Sequence, residues 1–347
     1  MNNSVRGGAV GVAAGAVLLS LVAPAHAAPG WRVTATPDRD AYLSQVAVIS
    51  ATEAWAVGGA GKTPLVRRWN GRTWNRVALP ASVKDARLSG VSATSGKNVW
   101  VSGSNGRDKQ FWMRWNGARW SVVTAKIPAD STPGAPELLA VSGSDVWSFA
   151  RKGWGPFSPD VRHFDGKRWS VVRSPGWITE ASAVSGKDVW ATGWVEAPGA
   201  PVPTVLRWDG RSWKKQAQPL GKDGSLHDVL AFSAKNVWAS GQDGAGRGVL
   251  LRWDGRTWKK SFAPNTKKAL TGLAYDGAGG LWMRAGDRFL RYRAGKWSSV
   301  AVPAKPGYRT AVSDIAYVPK STSVWAVGSL EDKRQVARYD AILKYGK

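Results

Sequence analysis

The side chains best suited to chemistry in this 347-residue sequence are a few carboxylates. Glu180, Asp228 and Asp314 stand at one matching position of a recurring segment. Gln45, Gly90, Ala140 and Gly272 fill the same position in the other copies. Three acids brought together would hold a hard cation such as Ca2+. Two of them would serve as a general acid and base on a polysaccharide, with Tyr308 as a further base. Solvated carboxylates in a wet channel are the plainer reading. His227 adjoins Asp228, but strand alternation turns neighbours to opposite faces. His163 fills a slot that is Arg in most other copies, which makes it a repeat variant. There is no cysteine, so thiol catalysis, thiolate metal sites and disulfides are excluded. No nucleophile elbow, phosphate loop or His-Glu-x-x-His metal motif is present.

Tryptophan is the other unusual resource, with 22 residues. Eighteen recur at fixed places in the repeat and read as packing, since each indole buries about 150–250 Å². Trp112 lies three residues before Trp115, where other copies carry Val66, Val205 or Leu250, and also reads as strand packing. Trp154, Trp177 and Trp194 fall outside the repeat frame, with Phe157 and Lys152 close by. These five are the candidate ligand-binding residues: an aromatic cluster stacks on a sugar ring or another flat apolar group. The bland alternative is that these Trp pin long Pro/Gly-rich loops to the scaffold.

The elements that must position these groups follow from the repeat. The Trp at 55, 100, 147, 190, 238, 282 and 325 have a mean spacing of 45 residues. Most follow a phrase such as Asn98-Val99, Asp145-Val146 or Asp188-Val189. Each unit holds a short apolar run ending near Ser, then the Val-Trp strand running into Gly. An Arg-Trp strand ends in Asn-Gly or Asp-Gly, as at Trp69-Asn70-Gly71 and Trp208-Asp209-Gly210, and a last strand opens on Trp74, Trp120, Trp169, Trp213, Trp258 or Trp297. Asn-Gly and Asp-Gly between apolar strands predict two-residue hairpins with both positions at positive φ. The unit is therefore four antiparallel strands. The seventh unit lacks its last Trp strand, and Trp31-Arg32-Val33 supplies one. The expected fold is an all-β ring of seven four-stranded blades, closed where Trp31 joins the strand Ala337-Arg338-Tyr339-Asp340. On these units the chain resembles a seven-bladed β-propeller of the broad WD-repeat and Kelch type, of a secreted bacterial kind. Its local signature is neither family's own. The resemblance implies architecture, not activity.

The propeller connectivity sorts the loops. The first-to-second and third-to-fourth turns share one face and are short and uniform. The second-to-third loops and the links between blades share the other face and vary widely. Trp154 is expected on the third blade's loop, Trp177 on the link to the fourth blade, and Trp194 on the fourth blade's loop. All three would then meet on the variable face, where binding residues tend to sit.

Lys and Arg number 49 against 24 Asp and Glu, a formal charge of +25. Arg precedes the third-strand aromatic at 68, 114, 207, 252, 291 and 338, where it can lie across a neighbouring indole. With Arg72, Lys167, Arg211 and Arg256 after the hairpin Gly, the charge reads as spread around the ring. Such a field favours polyanions, although no nucleic-acid motif is present. Residues 1–27 read as a signal peptide: Arg6, an apolar stretch from Ala9 to Val22, and Ala25-His26-Ala27 at the cleavage site. The propeller then spans 28–347, with no membrane span in the mature chain. The leading expectation is a secreted, extracellular, monomeric, non-catalytic binding module for a glycan or anionic cell-surface polymer. It would use the variable face near blades three and four, with no cofactor beyond an optional Ca2+. Two alternatives stay open: a lyase or hydrolase on an acidic polysaccharide, and a scaffold for an exported protein partner.

Overall fold

The computed structural model describes residues 30–35, 38–105, 109–123, 137–149, 159, 161–332, 334 and 337–346. Its chain forms seven antiparallel sheets of four strands, each ordered first to fourth from the inside out. The first strands are Ala41–Ser50, Ala86–Ser95, Glu137–Ser142, Trp177–Ser185, Gly224–Ser233, Thr271–Tyr275 and Tyr308–Tyr317. Each touches the next, and the last touches the first, so they line a central channel. We number the blades one to seven in that order. The only helical segment among the described residues is one 3-10 turn, Ala81–Val83.

The repeated tryptophans build the seams between blades. Trp55 of blade one meets Trp115 and Trp120 of blade two, both with ring centroids 5.8 Å away. Trp147 meets Trp208 and Trp213 of the next blade at 5.0 and 5.5 Å. Trp325 of blade seven meets Trp69 and Trp74 of blade one at 5.1 and 5.4 Å. A third-strand cation covers the other face of each such Trp: Arg68 on Trp55, Arg114 on Trp100, Arg207 on Trp190 and Arg291 on Trp282. His163 takes that place on Trp147, stacked at 4.1 Å and bonded to Asp145, as a repeat variant should be. Trp112 is fully buried, stacks on Trp169 and donates to Ser148 Oγ.

The recurring Gly of the second strand has a steric cause. Six of the first strands carry a register shift near the channel. At that shift a first-strand carbonyl faces the Gly. A Cβ on Gly58, Gly193, Gly241 or Gly328 would lie within 2 Å of that oxygen, so only glycine fits.

Ring closure occurs as expected, with a corrected register. Blade seven consists of Tyr308–Tyr317, Val324–Asp332, Arg338–Tyr345 and, as its fourth strand, Trp31–Ala35. Trp31 pairs with Tyr345, not with Tyr339, and Trp325 faces Lys344. Lys344-Tyr345 is thus this blade's cation–aromatic pair, and Arg338-Tyr339 lies at the far end of the strand. Trp31 stacks on Phe289 at 3.9 Å and meets Trp282 edge-on, which completes the seam to blade six.

The hairpins also differ from expectation. Trp69 pairs with Trp74, so Asn70–Thr73 is a four-residue loop. The Asn70 side-chain oxygen accepts the N–H groups of Arg72 and Thr73. Asn116, Asp165, Asp209 and Asp254 do the same in their blades. Only the Gly takes positive φ. The side-chain cap, not a left-handed Asn or Asp, sets the turn.

Candidate functional site

Two places bring chemistry-bearing side chains together: the channel and the face made by the short turns. In the channel, Glu180, Asp228 and Asp314 share one field, joined by a fourth acid, Glu137. Register gives the reason. Gln45, Glu180, Asp228 and Asp314 each lie opposite the residue two beyond the seam Trp, and in blade three that place belongs to Glu137, facing Phe149. Ala140, the residue expected there, lies three positions further on. Glu137 is 4% exposed, and Gln45 donates to it at 3.1 Å.

Burial is the first cause of the shifts in this ring. It holds Glu180 well above the usual carboxylate range, and Glu137, Asp228 and Asp314 add repulsion. Asp228 is raised to about 6 by burial, against the amides of Gly272 and Leu273 and the nearby Arg284. Asp314 is raised to about 7 by burial, offset in part by the Val46 amide. His227 sits in the Leu226–Asp228 register shift, where burial and Arg284 push its pKa down. Arg284 thus acts on both His227 and Asp228, while the His227 ring nitrogen is bonded to Ser225 Oγ at 2.9 Å. The channel residues also latch neighbouring blades. Asp314 accepts the N–H of Val46, Gln45 that of Val91, and Asp228 that of Gly272. Among the described residues no group of three or more His, Asp or Glu is placed to hold a metal ion.

The expected aromatic site is only partly within view. Lys152, Trp154 and Phe157 lie outside the described residues. Trp177 belongs to the first strand of blade four, not to the link before it, and is paired with Trp194 on the second strand. The two rings stack at 5.5 Å with 18° between planes. Trp177 is 3% exposed, so its ring holds the loop end of this blade together.

The charge is organised in a way the sequence pattern left open. The first-to-second and third-to-fourth turns share one face, as expected, and pack on each other. A Cβ on Gly117 would lie 2.8 Å from Lys97, on Gly210 3.1 Å from Lys187, and on Gly255 2.8 Å from Lys235. Exposed cations occupy both kinds of turn: Lys97, Lys187, Lys235 and Lys320 in the first, and Arg72, Arg119, Lys167, Arg168, Arg211 and Arg256 in the second. They are spread around the ring, as expected, and on this side they line one broad face. The carboxylates there are committed to local partners. Asp165 is lowered by the amides of Arg168 and Lys167, and Asp209 by its bond to Lys214 and by two turn amides. Glu53, Asp188 and Asp276 pair with Arg68, Arg207 and Arg291.

One notch breaks this face. It lies between blades five and six, has a volume of about 580 Å³, and is lined by Phe232, Trp238, Arg252, Lys259, Tyr275 and Tyr292 among others. A second cavity of about 640 Å³ on the loop face mixes Lys267, Lys268 and Arg288 with Asp287.

No family model matches this chain, and no curated protein matches it. Solved structures share its architecture. YCF48 bound to D1 peptide aligns with a TM-score of 0.64 at 15% identity, covering 91% of this chain and 96% of that one. A catalytically inactive virginiamycin B lyase from Staphylococcus aureus, solved with Quinupristin, gives 0.67 at 12%, covering 92% and 99%. The Swd1 propeller domain of Myceliophteria thermophila gives 0.57 at 11%, covering 89% and 99%. At these identities the likeness establishes the seven-bladed β-propeller fold. A binding or interaction role is compatible with that fold. No helix among the described residues is long and apolar enough to cross a membrane.

Proposed function

We propose that the protein is an exported, monomeric, non-catalytic binding module for an acidic glycan or similar anionic cell-surface polymer. The polymer lies across the short-turn face. The observation that carries this is the set of exposed turn cations on one face, with the neighbouring carboxylates already tied to their own turns or to seam arginines. Such a face attracts a polyanion over distances of about a Debye length, and the attraction weakens with salt. On the loop face, as at Lys214–Asp209 and Lys259–Asp254 on the short-turn face, cations also sit beside acids. Arg247 pairs with Asp243, and Arg309 and Arg338 with Glu331. Trp194, at the loop end of blade four, is then a secondary contact, with Lys152, Trp154 and Phe157 proposed beside it from the sequence alone.

Charge reversal tests the assignment. Polygalacturonate binding at low salt is expected to fall more than tenfold in the triple variant Arg72→Glu, Arg119→Glu, Arg211→Glu. The matched loop-face variant Lys62→Glu, Lys84→Glu, Lys222→Glu should lose at most about threefold, from net charge alone. Equal losses in the two variants, measured by calorimetry, would show that total charge matters and the face does not.

A further inference from the structure

The notch between blades five and six is where the sevenfold pattern fails, and three departures coincide there. The seam Trp is buried to 4% exposure or less at Trp55, Trp100, Trp147, Trp190, Trp282 and Trp325. Trp238 alone stays partly open, meeting Tyr292 edge-on at 5.8 Å. Blade six, whose Tyr292 meets Trp238, also turns differently. Arg293 pairs with Lys296 across a true two-residue turn, Ala294-Gly295, with φ of 48° and 77°. The other complete hairpins of this kind carry the four-residue, side-chain-capped loop. The third departure is electrostatic. Arg68, Arg207 and Arg291 each have a carboxylate in their own blade. Blade five carries Asn236 in place of that acid, and its oxygen accepts the Trp238 Nε1–H. Blade two has the same exchange at Asn98, but there Trp100 is fully covered. Among the described residues Arg252 has no carboxylate partner, and no Asp or Glu lines the notch.

We propose that this notch binds a single uronate residue of the polymer assigned above to the short-turn face. The proposal rests on that reading and names the place where the polymer is held specifically. Arg252 and Lys259 are cross-strand neighbours on the same wall. Arg252 would take the sugar carboxylate, with Lys259, whose Nζ stands 3.4 Å from Asp254 Oδ2, beside it. A guanidinium with no acid of its own offers the two-pronged geometry that a carboxylate matches. Tyr292 and the exposed Phe232 present ring surface to the sugar's C–H face beside Trp238, over which the Arg252 guanidinium lies at 5.3 Å, and Ser261 offers a hydroxyl. The volume lies within the range of small-ligand sites. The aromatic geometry favours a sugar over a nucleic-acid base. Phe232 meets Tyr275 at 73° and Trp238 meets Tyr292 at 62°, so there is no row of parallel rings on which successive bases could stack.

The probe is tetragalacturonate, set against its methyl-esterified form and an oligothymidylate of equal charge, at about 0.05 M and about 0.5 M salt. The charged tetramer is expected to keep measurable affinity at high salt, with quenching of tryptophan fluorescence, while the esterified form does not bind. Phe232→Ala and Lys259→Ala, both at exposed positions, should each lower high-salt affinity about tenfold without moving thermal unfolding. Arg72→Ala, on a distant turn, should weaken only low-salt binding. Notch variants that bind like the parent at high salt would overturn the notch and leave the polyanion face standing. Tighter binding of the oligothymidylate would overturn the sugar assignment. No binding of polygalacturonate at low salt would remove the polymer reading and the notch with it.

Discussion

Replacing Arg67 with methionine is expected to cost about 3–5 kcal/mol of stability, because it strands a buried carboxylate at the point where the ring closes. Arg67 lies on the third strand of blade one and is 3% exposed. Its Nε donates to Asp340 Oδ2 at 2.5 Å, and its Nη2 stands 2.7 Å from Asp38 Oδ2. Asp340 is fully buried on blade seven, and its other oxygen accepts the Asp38 N–H at 2.8 Å. Three distant parts of the chain therefore meet on one guanidinium: the segment after the closing strand, blade one and blade seven. Methionine fills most of the volume but leaves Asp340 with one N–H and no cation. The double change Arg67→Met, Asp340→Leu should recover most of the loss, since desolvating a pair often cancels its attraction while orphaning one partner does not. Urea unfolding of the two variants, with Arg72→Met as an exposed control, measures the difference. A single Arg67 variant as mild as the control would show that hydrogen bonding of the closing strand alone holds the ring shut.

What the sequence reveals here is what the fold must repeat. The blade count was readable because every seam needs an indole against the next blade's third and fourth strands, so Trp55 through Trp325 keep time along the chain. Single-copy features were harder to place. Arg338-Tyr339 and Lys344-Tyr345 are both cation–aromatic pairs, and loop lengths vary too much to choose between them. Only the cross-strand partner of Trp325 decides, and it is Lys344. Glu137 stands ten residues before its seam Trp147, the same distance as Gln45, Glu180 and Asp228 from theirs, so its place is open to the sequence although Ala140 is the residue expected there. Counting five residues back from the Ser that ends the strand would have found it: Ser142 to Glu137, as Ser185 to Glu180 and Ser233 to Asp228. Asn-Gly reads alike in a two-residue and a capped four-residue turn, and the Trp69–Trp74 pairing separates them. The basic face lay one step from the sequence, since it needs only the turn cations joined to the turn topology. The notch is different in kind. Its signal is the loss of Asp-Gly between Tyr292 and Trp297, together with Asn236 where blades one, three and four carry Glu53, Asp145 and Asp188. Neither absence means anything until Trp238 is seen to stand partly open beside them.

The channel acids set how stability depends on pH, and the direction follows from burial. Asp314 and Asp228 titrate at about 7 and about 6 in the folded ring, against about 4 when unfolded, and Glu180 is raised as well. A raised acid favours folding while it stays protonated. Its contribution is whole below pH ~4 and is lost as pH climbs through the folded value. For Asp314 the shift corresponds to about 4 kcal/mol, and its partial exposure reduces this to about 2 kcal/mol. An opposing set acts at lower pH. Asp276 is buried, but the amides of Ala278 and Gly280 and the Arg291 guanidinium outweigh burial and lower its pKa. Its contribution is present above pH ~4 and fades in acid. The stability curve is thus expected to crest near pH 5 and decline toward pH 8. Asp314→Asn keeps an oxygen for the Val46 N–H and removes the charge. It should leave stability at pH 5 within about 0.5 kcal/mol and raise it by about 2 kcal/mol at pH 8. Chemical unfolding at the two pH values reads this directly. An Asn variant that loses stability equally at both would mean that the carboxylate is needed as the acceptor latching blade seven to blade one, and that its charge is not what strains the ring.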